Sequence, residues 1–494
     1  MTMRLILLSS PLAEVAADWL ILPVWEGEFP GESAANLDAK LVGLVSTLRE
    51  QGDVAGKAKE LTPLYQNLDV AARRLLLVGM GTRKDADFAS LLSCTAAAAK
   101  ILSAKPNQRI AMVLPQGVPT LSADVVLRAC AHGFYQGSST AGIRKSATER
   151  TPPSEVCFLV SIIDRPLQDS AKRAEVEGRS TNLARELVNL PPCDLYPESF
   201  AERARDLAGK TGLDVQVLDE QQLQLERMNS LLAVARGSER PPRLVVLQHR
   251  RGGTKPTLAL VGKGVTFDSG GLSLKTTEQM VDMKCDMAGA AAVLGAMQAI
   301  AELQFPVNVI GVMVLVENMP SGKAMKLGDV FKARNGKTIE VLNTDAEGRL
   351  ILADALAYAV DLKANHLVDL ATLTGACMVA LGYDVAGLMS NDEAWSEKVL
   401  SASRAAGEKA WPLPMFPHYR ELIKSDIADI KNTGGSRYAG AISAAKFLEE
   451  FVGGVPWAHL DIAGPSWAER ENATREAGGT GCFVRTLVEL ARIY

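Results

Sequence analysis

The segment from Asn343 to Leu352 constrains the fold more than any other part of the chain. It reads Asn-Thr-Asp-Ala-Glu-Gly-Arg-Leu-Ile-Leu and lies between an apolar stretch, Lys337–Leu342, and a stretch rich in alanine and leucine, Leu350–Leu362. This pattern predicts a strand, a short polar turn and a helix, and therefore an α/β unit. Two carboxylates two positions apart on such a turn can bind a hard divalent cation, and Arg349 can hold an anion beside it.

A second polar segment lies about eighty residues upstream, at Val261–Gly271. We predict a turn there, after an apolar strand at Thr257–Gly262. The chain has 5 histidines, and none begins a His-Glu-x-x-His motif, so a catalytic metal must be held mainly by oxygen. Four carboxylates would balance two divalent cations in a buried site. The candidate carboxylates are Asp268, Asp286, Asp345 and Glu347.

Several residues around these segments allow two interpretations. Lys263 either neutralises the carboxylates as an ammonium ion or loses its proton beside a cation and becomes a nitrogen ligand. Asp345 and Glu347, taken alone, are as well explained as helix-capping or surface carboxylates. Cys285, next to Asp286, is better explained as a small packed residue than as a nucleophile, because no histidine is near it in sequence.

Composition limits the class of protein. A chain of 494 residues with 47% hydrophobic and 22% charged residues predicts two or three globular domains. A net charge of −4 gives no general attraction to nucleic acid or to an anionic membrane. The 7 scattered cysteines predict reduced thiols and a cytoplasmic protein, and the longest apolar run, Val309–Val316, is too short to span a membrane.

The alternation of apolar runs and helical patterns predicts two α/β domains. Residues 1–165 form a smaller N-terminal domain without a catalytic motif, residues 166–180 a connecting helix or linker, and residues 181–494 the catalytic domain. We expect the larger domain to hold a central mixed sheet flanked by helices, with both candidate metal segments at the carboxyl ends of strands. No complete dinucleotide-binding, phosphate-loop or nucleophile-elbow motif is present.

Three segments together resemble the signature of the leucyl aminopeptidase family, the binuclear metallo-aminopeptidases that include bacterial cytosol aminopeptidases: Val261–Gly271, Met283–Asp286 and Asn343–Leu350. The resemblance is strong from about residue 180 to 484 and loose across the first 165 residues. Further matching segments are Asn182–Arg185, Val188–Pro192, Glu317–Pro320, Ala371–Ala376 and Trp457–Gly464.

The resemblance implies two divalent metal ions per subunit, Mn²⁺ or Zn²⁺, although magnesium and cobalt remain open. One ion would use Lys263, Asp268, Asp286 and Glu347 as ligands, and the other would use Asp268, Asp345 and Glu347. A hydroxide bridging the two ions would attack the scissile carbonyl, with Lys275 stabilising the oxyanion. Arg349 would hold a bicarbonate ion that serves as the base.

The resemblance also implies the substrate and the assembly. Met283, Thr372, Gly375 and Ala463 match the lining of an apolar pocket, which favours peptides with an N-terminal leucine- or methionine-like residue. Family members assemble as homohexamers, each a dimer of trimers. Some bacterial members also bind DNA, so a DNA-binding architectural or regulatory role is the alternative function.

Overall fold

The structure is a computed structural model that describes residues 3–28, 32–65, 70–106, 108–147 and 150–494. The chain divides into two compact units, and the division falls within one long helix. Unit 1 comprises Met1–Asn182 with Arg470–Ala477, and unit 2 comprises Leu183–Glu469 with Gly478–Tyr494. Both units are α/β, which confirms the predicted fold class. No helix in the described ranges has the length and apolar character needed to cross a membrane.

Unit 1 is built on one six-stranded sheet. Its strands are β1 (Arg4–Leu8), β2 (Trp19–Val24), β3 (Leu61–Leu64), β4 (Leu75–Gly79), β5 (Arg109–Val113) and β6 (Glu155–Leu159). They lie in the order β1-β6-β5-β2-β4-β3, with β3 antiparallel and the others parallel. The helices are α1 (Glu32–Lys40), α2 (Leu44–Glu50), α3 (Phe88–Leu102), α4 (Ala123–Ser138) and α5 (Arg165–Asn189). The strands are apolar on both faces because each face packs into its own hydrophobic cluster.

One helix that the sequence pattern predicts in unit 1 is divided into two helices in the structure. Apolar spacing predicts a single helix over Ala35–Arg49, but the structure has two helices, α1 and α2. Between them, Val42 and Gly43 adopt φ of 55° and 74°, which no right-handed helix can accommodate. Val42 is also 92% exposed, so its apolar side chain adds nothing to the core that would favour a continuous helix.

Unit 2 contains an eight-stranded mixed sheet and two small sheets. Its strands are β7 (Asp214–Leu218), β8 (Arg243–Arg250), β9 (Thr257–Asp268), β10 (Asn308–Asn318), β11 (Val330–Lys332), β12 (Thr338–Glu340), β13 (His366–Ala371), β14 (Ala386–Ser390), β15 (Ala410–Pro412), β16 (Ile430–Lys431), β17 (Trp457–Asp461), β18 (Trp467–Ala468) and β19 (Gly478–Gly479). The large sheet has the order β15-β14-β17-β13-β9-β10-β8-β7, and its four central strands β17, β13, β9 and β10 are parallel.

Helices cover both faces of the large sheet. They are α6 (Pro197–Thr211), α7 (Glu220–Leu225), α8 (Asn229–Ala235), α9 (Thr277–Met280), α10 (Ala288–Glu302), α11 (Glu347–Asp361), α12 (Gly375–Leu381), α13 (Glu393–Ala405), α14 (Gly440–Glu449) and α15 (Val484–Ile493). Helix α10 packs on β9, β10 and β13 together with α6 and α15, while α11 packs on β9 and β10 together with α8 and α14. This arrangement buries nearly all residues of the central strands.

One local prediction in unit 2 is wrong. The segment around Lys263 is the middle of the twelve-residue strand β9 rather than a turn. Its flanking glycines serve close packing, since a Cβ on Gly262 would lie 2.6 Å from the Cα of Ala290, on α10. The acidic turn, residues 343–346, follows a strand as predicted, and this strand, β12, lies in the small sheet β11-β12-β16 rather than in the central sheet.

A buried polar network links two central strands of unit 2. Asp369 on β13 pairs in register with His459 on β17, and both are fully buried. The Asp369 carboxylate lies 2.6 Å from His459 Nδ1 and accepts a 2.6 Å hydrogen bond from Trp457 Nε1. Buried carboxylates of this kind depend on having their hydrogen bonds satisfied.

We expect Trp457→Phe to reduce the free energy of unfolding of unit 2 by about 1–3 kcal/mol, because it removes a hydrogen bond to a buried carboxylate. Urea denaturation followed by circular dichroism measures this loss. Trp395→Phe is the matched control, since Trp395 Nε1 donates to the neutral carbonyl of Leu367 at 2.9 Å. Equal losses in the two variants would contradict the prediction.

A buried carboxylate in unit 1 should make its stability depend on pH. Burial alone would raise the pKa of Glu177, but Arg173, at 2.6 Å, and His132, at 2.9 Å, hold the pKa well below its ordinary value. A lowered pKa contributes stability that is fully present above the unfolded value, about 4.3, and is lost as the pH falls below it. We therefore expect Glu177→Gln to flatten the decline in stability between pH 5 and pH 3, measured by urea denaturation. Glu50→Gln, on an exposed carboxylate of the same unit, should leave the decline unchanged.

Candidate active site

Three separate stretches of unit 2 bring charged side chains together. Lys263 and Asp268 come from β9, and Lys275 follows in the loop after this strand. Asp286 ends a single 3₁₀ turn, Met283–Cys285, that precedes α10. Asp345 lies on the acidic turn, and Glu347 and Arg349 occupy the first turn of α11. All seven residues that the sequence marks as ligands or catalytic groups therefore meet in one place, and all of them line the same cavity.

Three of the carboxylates form a compact cluster. Asp268, Asp286 and Glu347 each offer an oxygen, and these atoms lie within 4.8 Å of one another. All three residues are at most 5% exposed. Buried carboxylates at such short range repel one another, so the cluster needs positive charge to persist.

Lys263 supplies part of that charge from within the sheet. Its Nζ lies 2.7 Å from Asp286 Oδ1 and 2.9 Å from Glu347 Oε1, and it donates to the carbonyl of Thr372 at 2.8 Å. A Cβ on Gly348 would lie 2.7 Å from this Nζ, so a glycine in α11 is what allows the lysine to lie against the helix. Lys263 is thus placed as either an ion-pair partner or, once deprotonated, a ligand.

Lys275 faces the cluster from the other side. Its Nζ lies 2.9 Å from Asp268 Oδ2 and also forms an ion pair with Asp345 Oδ1. Asp345 is the most exposed of the four carboxylates, with a third of its side chain accessible. The two lysines therefore bracket the cluster, one below it in the sheet and one at the cavity wall.

The electrostatics of the site show a shortage of positive charge. Burial is the main reason that the pKa values of Asp286 and Glu347 lie above their ordinary range, and the charge of Asp268 raises them further. Burial disfavours the ammonium forms of Lys263 and Lys275, but the neighbouring carboxylates outweigh it and raise both pKa values. A group of acids that tends to take up protons, even with two lysines beside it, has room for further cationic charge.

The donor set fits divalent cations. Asp286 Oδ2 and Glu347 Oε2 are buried and have no hydrogen-bond partner within the described ranges of the chain. Their other oxygens are engaged by Lys263, and Thr372 Oγ1 donates to Asp286 Oδ1 at 2.7 Å. Carboxylate oxygens with one amine nitrogen suit Mn²⁺, Mg²⁺ or Zn²⁺. These residues could therefore hold one or more such ions.

Arg349 is the second cationic side chain near the acidic turn, after Lys275. It is 8% exposed, and its Nη1 donates to the carbonyl of Asn432 at 2.8 Å. Burial lowers the pKa of its guanidinium to about 10, so it still carries its charge at neutral pH. Its Nε has no partner in the described part of the chain, which leaves a donor available for an anion.

Three buried residues to which the sequence assigned no role hold the charged loops in place. Asn318 is the register partner of Asp268, and its Nδ2 donates to Asp268 Oδ1 at 2.8 Å and to the carbonyl of Thr344 at 3.0 Å. Asn432 Nδ2 donates to the carbonyl of Asn343, on the acidic turn, at 2.7 Å. Asp461 accepts backbone N–H bonds from Leu373, Thr374 and Ala463.

These three residues carry weak sequence signals. Asn318 and Asp461 end buried strands, where side chains of open α/β sheets face ligands, and that position was the available clue. Asn432 follows a two-residue strand and gives no such clue.

The cavity beside the charged cluster measures about 630 Å³. Its lining includes all four residues predicted to form the side-chain pocket, Met283, Thr372, Gly375 and Ala463. The sequence did not identify other parts of the wall, among them Gln279, Thr374, Met378, Ser443 and Ser466. Cys285 also lines it, and burial raises the pKa of this thiol to about 12, which agrees with a packed, protonated residue.

Sequence comparisons cover both units. The profile of the "Cytosol aminopeptidase family, N-terminal domain" matches residues 21–146, and that of the "Cytosol aminopeptidase family, catalytic domain" matches residues 182–488. Proteins named "Probable cytosol aminopeptidase" are similar over almost the whole chain. The one from Rhodopirellula baltica is 46% identical over 92% of this chain and 88% of its own length. The one from Syntrophotalea carbinolica is 42% identical over 99% of both.

Solved structures agree with these relatives. The bottromycin maturation enzyme BotP in complex with Mn superposes with a TM-score of 0.85 at 36% identity, covering 97% of this chain and 99% of its own. A mutant of tomato leucine aminopeptidase superposes with a TM-score of 0.89 at 34% identity, covering 100% and 97%. Since two family profiles and full-length relatives agree, the chain belongs to the cytosol aminopeptidase family and is a peptidase.

Proposed function

We propose that this protein removes the N-terminal residue from peptides with the help of two divalent cations. The observation that carries the proposal is the convergence of Asp268, Asp286 and Glu347 within 4.8 Å, beside Lys275 and Arg349 in one cavity. Buried carboxylate oxygens that have no partner in the described part of the chain form a site that divalent cations would complete. The cationic side chains beside it can bind the peptide bond, and the cavity can hold a side chain.

We assign the ligands by the family resemblance. One ion would be held by Lys263, Asp268, Asp286 and Glu347, and the second by Asp268, Asp345 and Glu347. Lys263 would have to lose its proton to serve as a ligand, and a nearby dication favours that loss. When bound, the cations supply Lewis acidity, which polarises a peptide carbonyl and makes water a nucleophile near neutral pH.

The two other cationic side chains of the site, Lys275 and Arg349, would stabilise the oxyanion and hold the base. Lys275 is not one of the assigned ligands and keeps its ammonium form, so its Nζ can donate to the carbonyl oxygen as negative charge develops there. The Nε–H of Arg349 has no partner among the described residues, and we propose that Arg349 binds bicarbonate. Bicarbonate held there would supply a weak base for the proton released by water.

The cavity wall indicates an apolar N-terminal residue. Met283, Thr372, Gly375 and Ala463 leave room for a leucine- or methionine-like side chain. Each methylene is worth only about 1–3 kcal/mol of discrimination, so we expect a broad preference among apolar residues.

We propose several further properties from the resemblance to relatives rather than from the geometry of this chain. We propose Mn²⁺ or Zn²⁺ as the metal, noting that BotP is named as a complex with Mn. We also propose a homohexamer, a dimer of trimers, and a cytoplasmic location, by resemblance to the family. A net charge of −4 does not favour DNA binding, so we do not adopt the DNA-binding alternative.

Removal of metal should abolish activity. Enzyme stripped with a chelator should release no leucine from leucyl-p-nitroanilide, and Mn²⁺ or Zn²⁺ should restore the release. Calorimetric titration should find two cations per chain, and Asp345→Ala should weaken the binding of one of them and reduce turnover. Asp282→Ala is the control, since this carboxylate lies near Asp286 in sequence but outside the cluster. Full activity of the stripped enzyme would refute the proposed metal dependence.

Loss of Lys275 should affect chemistry more than metal binding. We expect Lys275→Ala to lower kcat by about 10²–10³-fold, the usual cost of losing an oxyanion donor. Steady-state kinetics on the metal-loaded enzyme measures this effect, with metal content checked by elemental analysis. Lys323→Ala, on an exposed lysine, should leave kcat unchanged. A Lys275→Ala enzyme that holds both metals and turns over at the wild-type rate would exclude the assigned role.

A further inference from the structure

Asn432 is a buried amide that holds the acidic turn without facing the cavity. It directly follows β16, whose Lys431 pairs with Glu340 on β12, and its own N–H donates to the carbonyl of Glu340 at 2.9 Å. Its side chain is fully buried. Because β12 runs into the acidic turn, Asn432 lies beside the point at which that turn begins.

The side chain of Asn432 uses its full hydrogen-bonding capacity on this turn. Its Oδ1 accepts from the N–H groups of Leu342, at 2.8 Å, and Asn343, at 3.3 Å. Its Nδ2 donates to the carbonyls of Asn343, at 2.7 Å, and Ala346, at 3.4 Å. A primary amide has two donors and one two-fold acceptor, and all of them are satisfied here by backbone groups on both sides of Asp345.

The backbone of the same residue holds the guanidinium. The Asn432 carbonyl accepts the 2.8 Å hydrogen bond from Arg349 Nη1. Asn432 therefore contacts Leu342 and Asn343 where the acidic turn begins and Ala346 where it ends. It also contacts the side chain of Arg349. The next two residues, Thr433 and Gly434, line the cavity.

We propose that Asn432 is a positioning residue for the aminopeptidase reaction, which sets Arg349 and the carboxylates of Asp345 and Glu347 relative to one another. This inference rests on the proposed function, since it takes Arg349 to be the anion-holding group. Without the amide, four backbone groups of Leu342, Asn343 and Ala346 lose these hydrogen bonds, and the turn and the segment carrying the Asn432 carbonyl are free to separate. A displacement of about 1 Å at a reacting group can cost about 10²-fold in rate.

The inference is tested by a double-mutant cycle on the metal-loaded enzyme. Asn432→Ala should lower kcat by about 10- to 10²-fold, with KM within about threefold of the wild-type value, because the side-chain pocket is untouched. Arg349→Ala should also lower kcat. If Asn432 acts through Arg349, the double variant should be little worse than the more impaired single variant, since coupled positions are not additive.

Asn335→Ala is the matched control. Asn335 also bonds the backbone through its amide, donating to the carbonyl of Glu450 at 3.0 Å and accepting from the N–H of Lys337 at 3.1 Å, but in an exposed turn away from the cavity. We expect this variant to lower the melting temperature at most, with kcat and KM unchanged. A purely structural role for Asn432 would give the same pattern and would overturn the inference.

A second variant covers the case in which Asn432→Ala fails to fold. Asn432→Asp keeps an acceptor for Leu342 and Asn343 but places a carboxylate oxygen against two carbonyls, so it should lower kcat in the same coupled manner. Wild-type kcat in this variant, or effects that multiply fully with Arg349→Ala, would overturn the inference while leaving the proposed function intact. Wild-type kcat in Arg349→Ala itself would instead refute the role assigned to Arg349 under the proposed function.

Discussion

The burial of several carboxylates around one lysine is the interaction on which the catalytic unit depends. Lys263 lies in the middle of β9. Its Nζ lies 2.7 Å from Asp286 Oδ1 and 2.9 Å from Glu347 Oε1. Such a group is stable only if its charges are balanced, because each unpaired buried charge carries a large desolvation cost. Burial, and after it the charge of Asp268, raises the pKa values of Asp286 and Glu347, and a cation bound among these carboxylates would offset both effects.

Uncharged and acidic side chains around this cluster keep its loops in position. Asn318 joins the end of β9 to the acidic turn, and Asn432 joins that turn to Arg349. Asp461 binds the backbone of the loops that carry Thr374 and Ala463, both on the cavity wall. All three residues are buried, and their hydrogen bonds to backbone, together with the bond from Asn318 to the Asp268 carboxylate, order the loops of the site before any ligand binds.

Much of the fold could be predicted from sequence because buried parallel strands are apolar on both faces. β9 begins at Thr257, the first residue of the predicted apolar strand, and β12 lies within the predicted strand Lys337–Leu342. Short edge strands such as β14 and β15 were missed, since they carry little apolar signal. The turn predicted at Lys263 is strand, because glycine there serves helix packing rather than a change of direction.

By itself, the sequence determined the types of chemical group in the site and the family signature that joins them. The carboxylates, two lysines and one arginine could be named because their motifs are local and specific. Only the tertiary structure decided how these segments meet: the acidic turn follows a small separate sheet, and its contact with β9 passes through Asn318. Such contacts join residues between twenty-six and eighty-nine positions apart, and neither hydrophobic period nor spacing along the chain encodes them.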